Sequence, residues 1–430
     1  MRSLIKGHYH WIIAMIVLLE MFSYVGILNN INGLYVIPVS EALGITRGDY
    51  SLAFSAKALA GALSVVLSGP LLRRYGYRKM ASGFLAVATA AFFVLCTCRN
   101  LVMLYLGAIM IGVCEGTCLT AGATFIIGSW FHRYRGSVLG CVTAATGIGG
   151  SAMCILLTHI IDSVGWRASY AACAIISAVM GLLVAMFIRD HPGTMGLKPF
   201  GEGELPVKNK REKRSEDHWH GFSMQQLVRM PNFYLTLLEV FLSCLCLYIA
   251  FYVIVPYLQS KGFSSGEAAS MQSIMLLGMA GFKLLSGVLS DFIGAKSATG
   301  LCLAATTVSF YLLISAVNSA SAVLAVLVFS LALPLTTVTI PLLTASLFGY
   351  CAHNTSNGFF LAMPAAAGMI ASPLTNMVYD KTGTYLPVFK TAMLLSVAVF
   401  ALHILICILA KRDRKRLEQT EAMKEDITCN

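Results

Sequence analysis

Five ionisable side chains interrupt long apolar stretches of the sequence: Glu20, Lys57, Glu115, Glu239 and Lys283. In the middle of a membrane such a charge costs roughly 2.5–3.5 kcal/mol when it faces lipid, so these residues usually face a cavity or one another. A buried ammonium group attracts an anion strongly, because its surroundings screen charge less than water does. A carboxyl group in an apolar cavity binds a proton readily, because desolvation disfavours the charged form. The set predicts a site for an anion and a proton.

Lys283 is the main candidate for anion binding. It lies eight residues before Asp291, or about 12 Å inside the polar end of its segment at 1.5 Å per residue. Gln272 is eleven residues earlier and shares the same helix face. We expect the substrate to contact Lys283, Gln272, Lys57, Asn32 and Phe359. Phe359 would give an apolar wall, although an aromatic residue at such a position also packs against lipid.

The three carboxyl groups, Glu20, Glu115 and Glu239, are candidates for proton coupling. Two lysines cannot neutralise three carboxylates, so one carboxyl is left to carry a proton. The alternative is internal pairing: Lys283 with Glu239, and Lys57 with Glu20 or Glu115.

Enzymatic chemistry is not indicated. An ATP-driven pump needs a phosphate-binding loop such as GxxxxGK[ST], which the sequence lacks. The cysteines form no pair of CxxC motifs, and no metal or other cofactor is expected. We assign five histidines to connectors and expect none to pair with the buried charges: His132, His191, His218, His220 and His353. A nucleophile–base set is therefore missing.

The elements that must position these residues are membrane helices. The chain has 430 residues, of which 57% are hydrophobic and 12% charged, about half the usual share of charge. About 20 consecutive apolar residues suffice to cross a bilayer. We find twelve such segments, numbered 1 to 12: 12–36, 50–72, 80–98, 101–129, 136–161, 167–188, 232–257, 266–290, 297–316, 319–347, 355–379 and 385–409. They predict an all-α integral membrane protein.

The distribution of positive charge predicts the topology. Lys and Arg number 23 in the connectors on the side of the N-terminus and 6 on the other side. Because positive loops stay in the cytoplasm, both termini are expected there. The protein itself is expected in the inner (cytoplasmic) membrane. The net charge of +11 follows this asymmetry and does not indicate nucleic acid. The basic stretch 208–214 is either a solvated linker or a contact with anionic membrane lipid.

An internal repeat divides the chain. LSGPLLRRYGYR (67–78) and LSGVLSDFIGAK (285–296) match at an offset of 218 residues. Parallel repeats of six helices are known in one large class of transporters. The residues expected to gate the conformational change are Gly69, Arg74, Gly76, Arg78, Gly287, Asp291 and Gly294. We predict a bundle over 1–190, a cytoplasmic linker over 191–230, a second bundle over 231–410 and a basic tail over 411–430.

These motifs resemble the major facilitator superfamily. The stretch 69–78 is similar to its Gly-x-x-x-Asp-Arg-x-Gly-Arg-Arg loop, although Arg73 stands where the family usually has Asp. WFHRYRGSVLG (130–140), TGIGG (146–150), GWR (165–167) and DKTGTY (380–385) resemble the oxalate/formate antiporter and monocarboxylate transporter branch. The resemblance implies two six-helix pseudo-symmetric bundles, with a central cavity lined by helices 1, 4, 7 and 10 and flanked by 2, 5, 8 and 11.

The resemblance also narrows the function. The branch often has Arg at the position of Lys283, where it pairs with a substrate carboxylate. Dicarboxylate exchangers carry a second cation on helix 11, where this chain has Met363, Pro364 and Ala365. A small monocarboxylate moving with a proton, through a monomer, is therefore expected. The alternatives are an anion exchanger of the oxalate/formate type, an exporter of amphipathic compounds, and a sensor that binds without transport.

Overall fold

The computed structural model describes residues 9–25, 27, 31–118, 120–131, 135–201, 221–349, 351 and 353–428. Within these residues the fold is all-α. The helices are α1 (Tyr9–Glu20), α2 (Val36–Leu43), α3 (Arg47–Cys96), α4 (Leu101–Cys118), α5 (Thr120–Trp130), α6 (Arg135–Ser163), α7 (Trp166–Phe187), α8 (Met224–Leu227), α9 (Pro231–Ser260), α10 (Ser265–Ile293), α11 (Ala295–Ser315), α12 (Ser319–Ala332), α13 (Thr339–Phe348), α14 (His353–Thr382) and α15 (Leu386–Thr428).

The described residues of each of the twelve predicted segments are mostly helical. Nine helical stretches of the described part are apolar and long enough to cross a membrane, judged by length and composition. Segments 1, 2 and 4 each contain residues whose side chains lie outside the described part, and the count of twelve crossings stays a prediction. Below, residues up to 190 are called the first half, and residues from 231 the second half.

The repeated glycine turns have the same backbone conformation in the two halves. Gly76 interrupts α3 between segments 2 and 3 with φ 75° and ψ 164°. Gly294, 218 residues later, separates α10 from α11 with φ 83° and ψ 149°. This region of backbone space is open to glycine and strained for other residues. The sequence repeat is therefore also a repeat of local structure.

Segments 1 and 10 are broken helices. A π-helical turn (Met21–Val25) follows α1, and a 3₁₀ turn (Asn32–Tyr35) leads into α2. Another 3₁₀ turn (Leu333–Thr336) separates α12 from α13 and contains Pro334, which lacks a backbone N–H to donate. Irregular backbone in a membrane is tolerated where it is buried in protein or lines a cavity. The breaks therefore indicate where the interior of the bundle lies.

The two halves meet through polar contacts at one end of the bundle. The Asp380 carboxylate at the end of α14 accepts the backbone N–H groups of Arg47 and Gly48, at 3.2 and 2.7 Å, at the start of α3. Unpaired N–H groups and the helix dipole favour an anion at this position. One turn further in, Asn376 donates to Ser51 at 2.7 Å. This end lies opposite the Gly76 turn, about 44 Å away along α3 at 1.5 Å per residue.

The start of the linker folds back on the first half. The Trp130 indole donates to the carbonyl of Arg189 at 2.7 Å, and the backbone N–H of Phe200 donates to the carbonyl of Trp130 at 2.8 Å. His10 Nε2 lies 2.9 Å from the carbonyl oxygen of Lys198. Trp130, the first residue of the WFHRYRG stretch, thus holds the start of the linker beside the end of α7, and His10 holds it to α1. These contacts give this tryptophan a structural role.

Candidate functional site

A cavity of about 520 Å³ lies between the two halves. Its described lining comes from segments 1, 2, 4, 5, 7, 8, 10 and 11, in agreement with the expectation drawn from the resemblance. The lining includes Asn32, Tyr50, Lys57, Val65, Glu115, Tyr248, Tyr252, Lys283, Thr336, Leu361 and Ser372. The helix breaks of segments 1 and 10 both reach this cavity, through Asn32 and Thr336.

The cavity is closed at one end and open at the other. Tyr50 and Ser372, on the side of the Asp380 contact, are buried. Val65 and Leu361, further along the same helices, are 47% and 43% exposed. The opening therefore faces the end of the bundle that carries the glycine turns, and the polar contacts between α3 and α14 close the opposite end.

Three of the five predicted charges line the cavity. Lys57 and Glu115 form an ion pair at 3.0 Å, with side chains that are 7% and 25% exposed. Lys283 faces the same space from α10 and is half-buried. Within the described part of the chain, no carboxylate lies within ion-pair distance of its ammonium group. The cavity thus combines a neutral ion pair with one further cation.

Close packing of α3 against α4 places the ion pair. Gly112 lies one turn before Glu115, and a Cβ added to Gly112 would overlap the backbone carbonyl of Lys57. Only a residue without a side chain lets the two helices approach this closely. The glycine therefore brings Lys57, on segment 2, next to Glu115, on segment 4.

Of the other predicted substrate contacts, one reaches the cavity and two do not. Asn32 lines it. Gln272 is buried between α10 and α6, where it faces the thiol of Cys154. Phe359 is about half exposed and packs edge-on against Phe233 at a centroid distance of 6.4 Å. The helix-face argument fails for Gln272 because the outer part of α10 packs directly against α6.

The expectation that all five charges share one cavity is wrong for Glu20 and Glu239. Glu20 is fully buried and accepts a hydrogen bond of 2.7 Å from Tyr77, next to the Gly76 turn. Glu239 is buried against His403, with 2.7 Å between Oε1 and Nδ1. Both carboxyl groups lie on cavity-side helices but on faces turned toward peripheral helices.

Two expectations about partners are corrected as well. His403 lies inside α15 and pairs with Glu239, so the buried charges do not lack histidine partners. The alternative pairing of Lys283 with Glu239 is also not observed, because the histidine occupies that carboxylate. Of the two pairings considered for Lys57, the structure has the one with Glu115.

The described gating residues cluster at the glycine turns. The backbone N–H of Arg78 donates to the Asp190 carboxylate at 2.7 Å, and its side-chain Nε donates to the carbonyl of Ala185 at 2.7 Å. A Cβ on Gly76 would overlap the Asp190 carboxylate. Arg74 is exposed, with its guanidinium 5.4 Å from the ring centre of Tyr75. The surroundings of Gly69 and Gly287 and the side chain of Asp291 lie outside the described part.

Sequence reasoning missed the aromatic wall of the cavity. Tyr248 and Tyr252 stack with 5.2 Å between ring centres and line the cavity from α9. Their hydroxyl groups offer hydrogen-bond donors beside the charged groups of the cavity. A signal was available: Tyr252 lies in YVIVP, whose counterpart YVIP begins at Tyr35. Tyr35 lines a side pocket of about 30 Å³ that adjoins Lys57.

Two of the relatives match more than 80% of the chain. The probable sulfoacetate transporter SauU of Cupriavidus necator is 25% identical over 420 residues, which cover 93% of this chain and 94% of the relative. The hexuronate transporter of Bacillus subtilis is 24% identical over 392 residues, which cover 84% of this chain and 86% of the relative. Both names describe transporters of organic anions.

Solved structures share the fold. A variant of the nucleoside transporter NupG superposes with a TM-score of 0.74 at 13% identity, covering 93% of this chain and 99% of that one. A bacterial homologue of the human lysosomal transporter Spinster gives a TM-score of 0.69 at 14% identity, covering 95% and 97%. At these identities the likeness concerns the fold alone.

The apolar helices indicate a multi-pass membrane protein, and the relatives are named as transporters and not as enzymes. The model of the Major Facilitator Superfamily matches residues 12–352, more than half of the chain. The chain belongs to the major facilitator superfamily.

Proposed function

We propose that the protein carries a small organic anion, with a single carboxylate, across the cytoplasmic membrane together with a proton. The observation that supports this most is Lys283, whose ammonium group lines the cavity and has no described carboxylate within ion-pair distance. A cation in a half-buried cavity attracts an anion more strongly than it would in water. The two relatives are named for small organic anions: hexuronates carry a single carboxylate, and sulfoacetate carries a sulfonate beside its one carboxylate.

The Lys57–Glu115 pair gives a route for proton coupling. The Glu115 carboxylate lies 3.0 Å from the Lys57 ammonium group and neutralises it. The net charge of Lys57, Glu115 and Lys283 together is therefore that of Lys283. When Glu115 binds a proton, the pair loses its Coulomb attraction and Lys57 becomes a second cation for the anion. Anion and proton would therefore favour each other's binding, as linkage between two sites requires.

Alternating access would move the two halves against each other. The cavity is closed at the end where Asp380 binds the start of α3 and open toward the glycine turns. With both termini in the cytoplasm, as the positive charges predict, the open end faces the cytoplasm. Transport then requires the Asp380 contacts to break while the other end closes, with the glycine turns as the gating elements.

The chain is proposed to work as a monomer of two six-helix halves, in the oxalate/formate and monocarboxylate branch that its motifs resemble. Anion exchange without a proton is the competing function. In that case Glu115 would stay ionised and paired with Lys57 throughout the cycle. An amphipathic export substrate would have less use for the Lys283 ammonium.

Uptake into proteoliposomes tests the proposal. We would offer formate, lactate, oxalate, sulfoacetate and glucuronate from outside while recording the internal and external pH. Net uptake of a monocarboxylate into empty vesicles, with external alkalinisation, is expected. Uptake that needs a second anion inside would indicate exchange, and binding without flux would indicate a sensor.

A further inference from the structure

The second half contains a buried acid–base pair that the cavity does not use. Glu239 lies on α9 and His403 on α15, and both side chains are almost inaccessible to solvent. The distance between His403 Nδ1 and Glu239 Oε1 is 2.7 Å. Neither residue lines the cavity. A direct role in substrate binding is therefore not indicated, and the pair needs another explanation.

The imidazole of His403 bridges this carboxyl group to the glycine turn. Its second nitrogen, Nε2, lies 2.9 Å from the backbone carbonyl oxygen of Lys296. Lys296 is two residues after Gly294, where α10 ends and α11 begins. The histidine thus connects α9, α15 and the turn in one chain of hydrogen bonds.

The geometry fixes how many protons the pair holds. A carbonyl oxygen can only accept, so Nε2 must carry hydrogen. Nδ1 faces a carboxyl oxygen, so a second hydrogen must lie between them, on either His403 or Glu239. An imidazolium with a carboxylate and an imidazole with a carboxylic acid both meet this condition, and both have zero net charge.

Loss of that shared proton would be costly at this position. It would leave two lone pairs facing each other across 2.7 Å and a net negative charge in a buried site. Glu239 Oε2 is buried without a hydrogen-bond partner in the described part of the chain, so little is available to stabilise the added charge. The contact between Nδ1 and Oε1 therefore depends on the proton, and with it the position of the imidazole whose Nε2–H binds the turn.

The first half makes the equivalent contact without a titratable histidine. Arg78 and Lys296 are 218 residues apart, as are Ala185 and His403. In the first half the Arg78 side chain donates to the carbonyl of Ala185, whereas in the second half the His403 side chain reaches the carbonyl of Lys296. In both halves a hydrogen bond joins the turn to the last helix. Only the bond made by His403 involves a proton held by a buried acid–base pair.

Few other charged groups lie on the described elements packed against α15. Among the described residues of the elements packed against α15, α9 contributes Glu239 itself, α11 contributes Lys296, and α13 contributes no charged side chain. On α15 the thiol of Cys407 lies 3.7 Å from His403 Nε2. The exposed Lys411 and Arg414 follow one and two turns later. These cations lie toward the polar end of α15, beyond the bridge.

We propose that Glu239 and His403 form a proton-binding site whose proton holds the 294–296 turn in place. The two residues act as positioning residues, because they touch the turn and not the substrate. Release of the proton at alkaline pH frees the turn from α15 and α9. The inference rests on the geometry of this pair and stands whether or not Lys283 binds the substrate.

The decisive variant is Glu239→Gln. A carboxamide can donate from its NH₂ group to Nδ1 while Nε2–H still donates to Lys296, so both hydrogen bonds survive without a dissociable proton. His403→Ala removes the bridge and is the matched disruption. The readout is hydrogen exchange of the backbone amides of 295–299 in the purified full-length protein in lipid nanodiscs. This set includes Ala298, whose N–H donates to the Gly294 carbonyl at 3.0 Å.

Hydrogen exchange of these amides would be followed from about pH 6 to about pH 10 and corrected for the intrinsic pH dependence of amide exchange. In the wild type, protection should fall by about tenfold or more as the pH rises. Glu239→Gln should stay protected across the range, and His403→Ala should be unprotected throughout. The proposal is overturned by constant wild-type protection, by wild-type pH dependence in Glu239→Gln, or by full protection in His403→Ala.

Discussion

Replacing Lys283 by Gln is the most direct test of the anion site. The change removes the ammonium group and keeps a polar side chain. Because no described carboxylate lies within ion-pair distance of Lys283, the substitution leaves none of the described carboxylates newly unpaired. The loss should therefore equal the interaction of the ammonium group with the substrate, without a penalty from the rest of the cavity.

The expected size follows from this environment. A hydrogen bond to a charged group contributes about 1.5–3 kcal/mol net. At a factor of ten for each 1.4 kcal/mol, this corresponds to about 10- to 150-fold weaker binding. The half-buried position of Lys283 favours the lower part of that range, because water in the open cavity screens the charge. Lys283→Arg keeps the charge and should retain most of the affinity.

The matched control is the double variant Lys57→Gln/Glu115→Gln. It removes both members of the ion pair at once, so the net charge of the cavity does not change. Lys57→Gln alone is less informative, since it leaves Glu115 facing the cavity without its partner, which costs about 3–5 kcal/mol for a buried pair. At neutral pH the double variant should bind the anion with an affinity close to that of the wild type.

Binding would be measured by the thermal stabilisation of the purified protein against increasing anion concentration, and by uptake into proteoliposomes. The probe is the acid that stabilises the wild type most among formate, lactate, oxalate, sulfoacetate and glucuronate. If Lys283→Gln binds that anion as tightly as the wild type, while the double variant loses binding, the anion is held by Lys57 and our reasoning about Lys283 is refuted.

Three further predictions concern coupling, the closed end and the turn. Glu115→Gln should keep anion exchange but lose accumulation driven by a pH gradient in proteoliposomes; normal accumulation would exclude Glu115 as the proton carrier. Asp380→Asn should weaken the closed end by about 1–3 kcal/mol, because the carboxylate accepts hydrogen bonds from two backbone N–H groups there. Distances between spin labels across that end should lengthen, whereas the exposed control Lys381→Gln should leave them unchanged. Gly294→Ala should lower the apparent melting temperature, because φ of 83° costs about 1–3 kcal/mol without glycine, whereas Gly281→Ala, in open helical space, should not.

The fold was accessible from the sequence because hydropathy and repetition report on it directly. Long apolar segments predict membrane helices, and the LSG repeat located both glycine turns, Gly76 and Gly294, at matching positions. The helix breaks at Asn32 and Thr336 were harder to locate. A 3₁₀ turn within an apolar segment depends on which neighbours satisfy its backbone groups, and local composition does not show that.

The site was only partly accessible for a similar reason. The sequence identified Lys57, Glu115 and Lys283 because a charge within an apolar segment is conspicuous. It could not say which face of each helix would turn inward, since a membrane helix is apolar all round and has little amphipathic signal. Glu20 and Glu239 were therefore assigned to the cavity, although they face Tyr77 and His403.

The placement of the charges also bears on how binding could drive the conformational change. Lys57 and Glu115 belong to the first half, whereas Lys283 belongs to the second. An anion held between them contacts both halves, and its interaction strengthens as they close around it and exclude water. A ligand shifts a conformational equilibrium only through such a difference in affinity between the two states. We therefore expect the anion to favour the closed state only when Glu115 is protonated, because the ionised carboxylate would otherwise compete with it for Lys57. That requirement would prevent the conformational change when the anion is bound without a proton. Proton coupling would then be a consequence of where these three side chains lie.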